Sequence, residues 1–210
     1  MEKVGSYTAY YTLGGFERAE KEKWLCRMQK KCTQEVLPGF MTAWTNEYDV
    51  LQKAISELPQ EYKHLHIIFE YGLPRYPLSP GRSPTDIAVF ADAIILSYDT
   101  AIVLEFKQLD EPFIGHVRQA RKYRRRIQDF HDESSGMTKR SILVLTKGEN
   151  ISHKYHKVHC CSAELLSQTI MDALGEHPRR HSDVKAWCGS DFSCKSVHNS
   201  IPVPNANLQK

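Results

Sequence analysis

Apolar side chains recur along this chain with two periods, one of three to four residues and one of two. Between Met41 and Leu58 the residues Trp44, Tyr48, Leu51, Ile55 and Leu58 stand three or four apart. That spacing predicts an amphipathic helix stopping before Pro59. His64–Tyr71, Asp86–Phe90, Ala93–Ser97 and Ala101–Lys107 are short apolar or alternating runs, rich in β-branched and aromatic residues, and read as strands. Tyr98-Asp99-Thr100 is the turn between the last two, so this region reads as an antiparallel meander. The proline- and glycine-rich stretch Gly72–Pro84 reads as a loop. Helical spacing returns from Phe113 to His131, with Val117, Ala120, Ile127 and Phe130 available for a core. Ser141–Thr146 and Lys157–Cys160 read as strands and Ser162–Leu174 as a further amphipathic helix.

The order helix, three strands, helix, strand, then another strand and helix predicts an α/β fold, a central mixed β-sheet flanked by helices. Its core is expected over residues 41–180. Residues 1–40, with helical character from Phe16 to Cys32, form an N-terminal helical extension, and residues 181–210 an irregular C-terminal tail. Neither a G-x-G-x-x-G turn nor a G-x-x-x-x-G-K-[ST] loop occurs, so nucleotide-driven chemistry has no foothold in a known motif.

Composition agrees with a globular chain: 41% of the 210 residues are hydrophobic and 25% charged. No apolar run reaches the roughly 18 to 20 residues that cross a bilayer, and Met1–Tyr7 lacks the basic and apolar blocks of a signal peptide. A soluble, cytoplasmic protein without a membrane partner is the expectation. The six cysteines are too few for a disulfide scaffold and form no C-x-x-C pair. His156, His159, Cys160 and Cys161 cluster, as do His181, Cys188, Cys194 and His198, at spacings that match no zinc module.

Charge changes the picture more. The net charge is only +3, yet His116–His131 holds Arg118, Arg121, Lys122, Arg124, Arg125 and Arg126 against Asp129, a local +5 that leaves about −2 for the remainder. Such a helix suits a polyanion, gripped through phosphate contacts and counterion release.

Glu105 and Lys107 end the apolar run Ala101–Lys107. Residues two apart on a strand share a face, so these two sit side by side while Leu104 and Phe106 pack the other way. Two charges closing a core strand suggest a site. Asp86 begins an earlier strand and is a candidate partner; Asp92 is its rival, since a turn near Asp99 sets it more nearly opposite Glu105. Glu70 ends another strand as a third candidate acid. Carboxylates gathered this way suit a hard divalent cation, which phosphodiester hydrolysis uses to activate water and stabilise the leaving oxygen. Lys107 would orient that water or offset phosphorane charge. Gln119 and Tyr123, four apart, share a helix face, and Arg75 and Arg82 in the proline-rich loop can reach a ligand.

These residues carry a resemblance. Asp86, Glu105-Phe-Lys107 and Gln119-x-x-x-Tyr123 resemble the PD-(D/E)XK nuclease superfamily, in its branch with a Q-x-x-x-Y helix. Leu73-Pro-Arg75, Thr85–Phe90, Ile102–Gln108, His116–Tyr123, Asp129-Phe-His131, Trp44 and Ile142–Gly148 are similar to a nuclease-like domain that precedes a helicase in some bacterial proteins. The likeness covers about residues 40 to 190 and is most specific from Asp86 to His131. It implies a restriction-endonuclease-like core (αβββαβ) and a nuclease dependent on Mg2+ or Mn2+, hydrolysing phosphodiester bonds in DNA in repair or in defence against foreign DNA. It implies Asp86 and Glu105 as metal ligands with Glu70 a further candidate, Lys107 as the catalytic lysine, and Gln119 and Tyr123 in support. Arg75, Arg82, Arg118, Arg121, Lys122 and Arg125 are the expected nucleic-acid contacts. Thr85 departs from the pattern, standing where the superfamily has proline, with Pro84 one place earlier. No helicase part is present, which implies either a standalone nuclease or a piece of a larger protein, with room for a helicase or ATPase partner in trans. A module that binds nucleic acid without cutting it, and a ribonuclease, are the alternative readings.

Overall fold

The computed structural model describes residues 4–31, 38–74 and 87–193. The described chain runs β1 (Ala9–Thr12), α1 (Leu13–Glu17), α2 (Lys21–Lys31), α3 (Pro38–Ser56), β2 (His66–Pro74), β3 (Ile87–Leu96), β4 (Thr100–Lys107), α4 (Ile114–Phe130), β5 (Thr138–Leu145), β6 (Ser152–Tyr155), β7 (Val158–Ser162), α5 (Leu166–Leu174) and α6 (Val184–Cys188). It is an α/β protein with a seven-stranded mixed sheet ordered β1-β2-β3-β4-β5-β7-β6. Strands β1 to β4 are antiparallel neighbours, β4-β5-β7 are parallel, and β6 runs antiparallel to β7. Among the described residues no helix is long and apolar enough to cross a membrane.

Helices cover both faces because the central strands are apolar on both faces. On one side Leu13, Phe16, Trp24, Trp44, Leu51, Ile55 and Ile170 pack on Ile67, Phe69, Ile95, Ile102, Leu104 and Val144. On the other, Tyr123, Ile127 and Phe130 of α4 and Trp187 of α6 pack on Ile68, Ile94, Leu96 and Val103. Val117 and Ala120 extend this second layer over Leu143, Leu145 and Val158.

The predicted order survives as α3-β2-β3-β4-α4-β5, with several revisions. The segment expected as a helical extension contributes the edge strand β1 to the sheet, and Phe16, Trp24 and Met28 to the core. Four residues are too few for period two to stand out. The strands expected at Asp86–Phe90 and Ala93–Ser97 merge into the single ten-residue strand Ile87–Leu96, with Asp86 outside the described residues, and Gly72–Pro74, expected as loop, continue β2 by pairing with β3. A hairpin partner, β6, precedes β7, and its turn places His156 and Lys157 at φ 47° and 69°. That is the left-handed pair a two-residue hairpin requires, with no glycine to signal it.

The described part of the expected irregular tail, residues 181–193, also packs. Trp187 is fully buried, and its ring lies 4.3 Å from that of His131 and 5.3 Å from that of Tyr71. Nε2 of His131 is hydrogen-bonded 3.0 Å from the Trp187 carbonyl and 3.1 Å from the Tyr71 hydroxyl, so α6 is pinned where α4 ends. Cys160 and Cys161 point to opposite faces of β7 and are both buried, which separates the His/Cys cluster; Cys194 and His198 lie outside the described residues.

Candidate active site

The β3–β4 ladder pairs Leu96 with Ala101, Ile95 with Ile102, Ile94 with Val103 and Ala93 with Leu104, then stops. One more step sets Asp92 opposite Glu105. Instead of continuing the ladder, Phe106 donates its backbone N–H to Oδ2 of Asp92 at 2.8 Å. β4 stays paired with β5 through Lys107↔Leu145, so Glu105 and Lys107 are held rigidly on one edge while β3 departs on the other.

A second irregularity falls at the same level. Ile67 and Phe69 face the α3 side, whereas Tyr71 and Leu73 face α4; likewise Ala93 and Ile95 face α3 and Ala91 faces α4. The alternation breaks at Glu70, whose φ is 49°, and at Asp92, which the register sets between the pairs Phe69↔Ala93 and Tyr71↔Ala91. A non-glycine residue in the left-handed region costs of the order of 1 kcal/mol or more and persists only where its surroundings hold it. Here Trp44 of α3 holds it, donating Nε1–H to Oε1 of Glu70 at 2.8 Å.

Glu105 is the centre of the site. Its side chain is 1% exposed, and Oε1 accepts from Lys107 Nζ at 2.7 Å and Gln119 Nε2 at 2.8 Å. Gln119 Nε2 also lies 2.7 Å from the Tyr123 hydroxyl, so both helix residues join the strand pair. Oε2 of Glu105 is buried without a hydrogen-bond partner, as is Oε1 of Glu47, a 4% exposed acid on α3. Burial, reinforced by the charge of Asp92, pushes the Glu105 carboxyl from 4.5 up to about 8 despite the ammonium of Lys107. Glu47 is pushed well above the usual carboxylate range by burial and by Asp92, Glu70 and Glu105. Asp92 is raised by burial, against the Phe106 N–H and Lys107. For Lys107 burial favours the neutral amine, but Glu105 and Asp92 outweigh it and the pKa rises. Burial and Glu105 raise the Tyr123 phenol to about 12, so it stays protonated.

Four acids thus feel one another across a water-poor space. They do not form a ready-made cage: among the described residues no three His, Cys, Asp or Glu side chains group so as to hold an ion. The two observations are compatible, because Coulomb repulsion in a low-dielectric interior reaches well past a coordination distance of about 2 to 2.6 Å. The donor set itself suits a hard cation: carboxylate oxygens from four elements, two of them buried with nothing to bind.

Of the residues singled out in the sequence, Glu105, Lys107, Gln119 and Tyr123 meet directly, and Glu70 joins their electrostatic neighbourhood. Asp86, Arg75 and Arg82 lie outside the described residues; the acid set beside Glu105 is Asp92. Arg118 and Lys122 are exposed on α4 and, with Val89, Gly115, Gln119, Tyr123 and Arg126, line a cleft of about 420 Å³. Arg121 is exposed on the same helix, and Arg125 is 3.6 Å from Asp129.

Glu47 escaped sequence reasoning, and Arg126 entered it only as one of six basic residues, not as an expected contact. Glu47 stands three residues after Trp44 and four before Leu51, so a charge on the apolar stripe of α3 was the available signal. Arg126 is 8% exposed, with Nε and Nη1 unpartnered and its guanidinium 5.6 Å from the centre of the Tyr123 ring. It follows Tyr123 by three and precedes Phe130 by four, again a charge on a buried face. Compared with protein-family models, curated proteins and solved structures, the chain matches none.

Proposed function

We propose that this protein is a divalent-metal-dependent nuclease with a PD-(D/E)XK-type, restriction-endonuclease-like core, hydrolysing phosphodiester bonds in DNA. The observation that carries the reading is the convergence of Glu105, Lys107, Gln119 and Asp92 on one strand end, with a buried carboxylate oxygen left unpartnered. Asp92 and Glu105 would hold a Mg2+ or Mn2+ ion with Glu47 and Glu70 close by, and the ion would supply the charge that makes water nucleophilic near neutral pH. Gln119 fixes the orientation of Glu105 through Oε1, leaving Oε2 as the free ligand atom. Lys107, protonated at neutral pH, is placed to orient the attacking water and offset charge on the phosphorane. Arg118, Lys122 and Arg126 line the adjoining cleft and suit a backbone phosphate.

The test incubates purified protein with single- and double-stranded DNA and with RNA, in Mg2+, Mn2+ or chelator. Cleavage of DNA is expected with metal alone, and Lys107→Ala should lower it about 100- to 10,000-fold, the usual worth of a positioned proton-transfer or charge-offsetting group. Metal-dependent cleavage unaffected by Glu105→Ala and Lys107→Ala sinks the assignment, and preferential cleavage of RNA changes the substrate. One observation favours a second reading, a module that binds nucleic acid without cutting: Glu105 is already engaged by Lys107 and Gln119. Salt-sensitive DNA binding with no cleavage under any metal would select it.

A further inference from the structure

A second cationic recess lies away from these carboxylates. The β4–β5 ladder begins at Thr100↔Thr138, but the β5–β7 ladder begins only at Ile142↔His159. Among the described residues Thr138–Ser141 therefore has no strand neighbour on the β7 side, and the sheet opens there into a crevice of about 510 Å³. Arg124, Lys139, Arg140, Lys154 and Lys157 line it against a single acid, Asp172. Glu105 pairs with Leu143, three residues further along β5 than Arg140, so the crevice sits toward the opposite end of the parallel strands from the acid cluster.

Arg124 is the built feature of this crevice. It is 9% exposed; Nη1 donates to Gln128 Oε1 at 2.6 Å, and Nε is buried with no partner. At 3.6 residues per turn, Arg124 and Arg126 point about 160° apart around α4, so each serves a different flank of the helix. Positive neighbours outnumber negative ones around Arg124: burial, Arg121, Arg125 and Arg140 lower its pKa, and Asp129 opposes them. Burying a guanidinium N–H unpaired among like charges is costly, and the cost is recovered when an anion enters. The lining carries no Phe, Tyr or Trp ring to stack on a base. Recognition here is of charge, and its volume suits a group of nucleotide size.

We propose that this crevice is a second anion site that binds phosphate groups, with Arg124 as the buried anchor and Arg140 and Lys154 as the outer clamps. The phosphates come either from a free polyphosphate or from a nucleic-acid backbone, and the two sources separate by experiment. Inorganic tripolyphosphate is titrated calorimetrically into the full chain with chelator present, and a labelled single-stranded oligothymidylate is followed by anisotropy. The variants are Arg140→Gln/Lys154→Gln and the charge-keeping Arg140→Lys/Lys154→Arg, both at exposed strand positions that spare the left-handed Lys157. Tripolyphosphate affinity falling about tenfold or more in the neutral pair, and kept in the charge-keeping pair, supports the site with a free polyphosphate as source. The same pattern for the oligonucleotide supports the site with the backbone as source. Both affinities unchanged in the neutral pair overturn it, as does failure of the wild type to bind either probe. Because metal is chelated and cleavage is not the readout, failure of the nuclease reading leaves these outcomes intact.

Discussion

Replacing Glu105 by glutamine should make the metal-free protein more stable at alkaline pH. The wild-type carboxyl rises from 4.5 to about 8 on folding. A raised folded-state pKa means the native protein binds the proton more tightly than the unfolded chain, so stability is full below pH 4.5 and falls as pH rises through about 8. At about 1.4 kcal/mol per pH unit, the charged group costs the fold at most about 5 kcal/mol by pH 9. Glutamine keeps an oxygen for Lys107 and Gln119 but sets an amide nitrogen where Oε2 lies unpartnered, which returns about 1 to 3 kcal/mol. The net gain is about 2 to 4 kcal/mol, a rise in Tm of about 5 to 15 °C for a chain this size. Thermal unfolding with chelator at pH 5 and pH 9 measures it: the variant should exceed wild type at pH 9, lose that advantage at pH 5, and have no nuclease activity. A wild type whose Tm is flat between these pH values, or a variant less stable at pH 9, refutes the electrostatic account. Saturating Mn2+ should narrow the gap by stabilising only the wild type.

Two further outcomes are expected. Arg126→Met should weaken oligonucleotide binding about tenfold and reduce its salt dependence by about one ion, with KM rising more than kcat falls; an unchanged salt slope shows that Arg126 touches no phosphate. His66, 4% exposed, is held near 4 rather than 6.5 by burial and by Arg180, whose Nε lies 3.0 Å from His66 Nε2. The unfolded chain therefore takes the proton first, and stability drops as pH falls from 6.5 through about 4, by up to about 3 kcal/mol. His66→Phe should remove that part of the acid sensitivity in urea titrations at pH 7 and 4, and an identical loss in both proteins refutes it.

The pairing of Glu105 with Lys107 was legible because it needs only the two-residue period of a strand and an apolar run to bury it. Gln119 and Tyr123 were legible for the same kind of reason, four residues apart on a helix that also carries the chain's basic cluster. Turn position alone favoured Asp92 over Asp86, and the observed register, carried one step past Ala93↔Leu104, sets Asp92 across from Glu105. Glu47 was not picked out, and Arg126 only as part of the basic helix, since a charge inside an apolar stripe reads as noise until a neighbour explains it. For Glu47 the explanation lies on β2, β3 and β4, far away in sequence. β1 and α6 were missed because four or five residues carry too little pattern, and what fixes them is contact: β1 with β2, and Trp187 with His131 and Tyr71.

By itself the sequence determined the layered α/β character, the antiparallel meander, the basic helix and the shared face of Glu105 and Lys107, because each follows from local period and charge. Tertiary structure alone decided that β3 leaves the ladder at Asp92, that the alternation of β2 is turned over at the left-handed Glu70, and that Glu47 joins them from another layer. It also decided that Arg124 and Arg126 are buried on opposite flanks of α4 rather than solvated. These depend on which strands stop pairing and which helices cover the gap, and a carboxylate or guanidinium acquires its unusual state only from the water that such packing excludes.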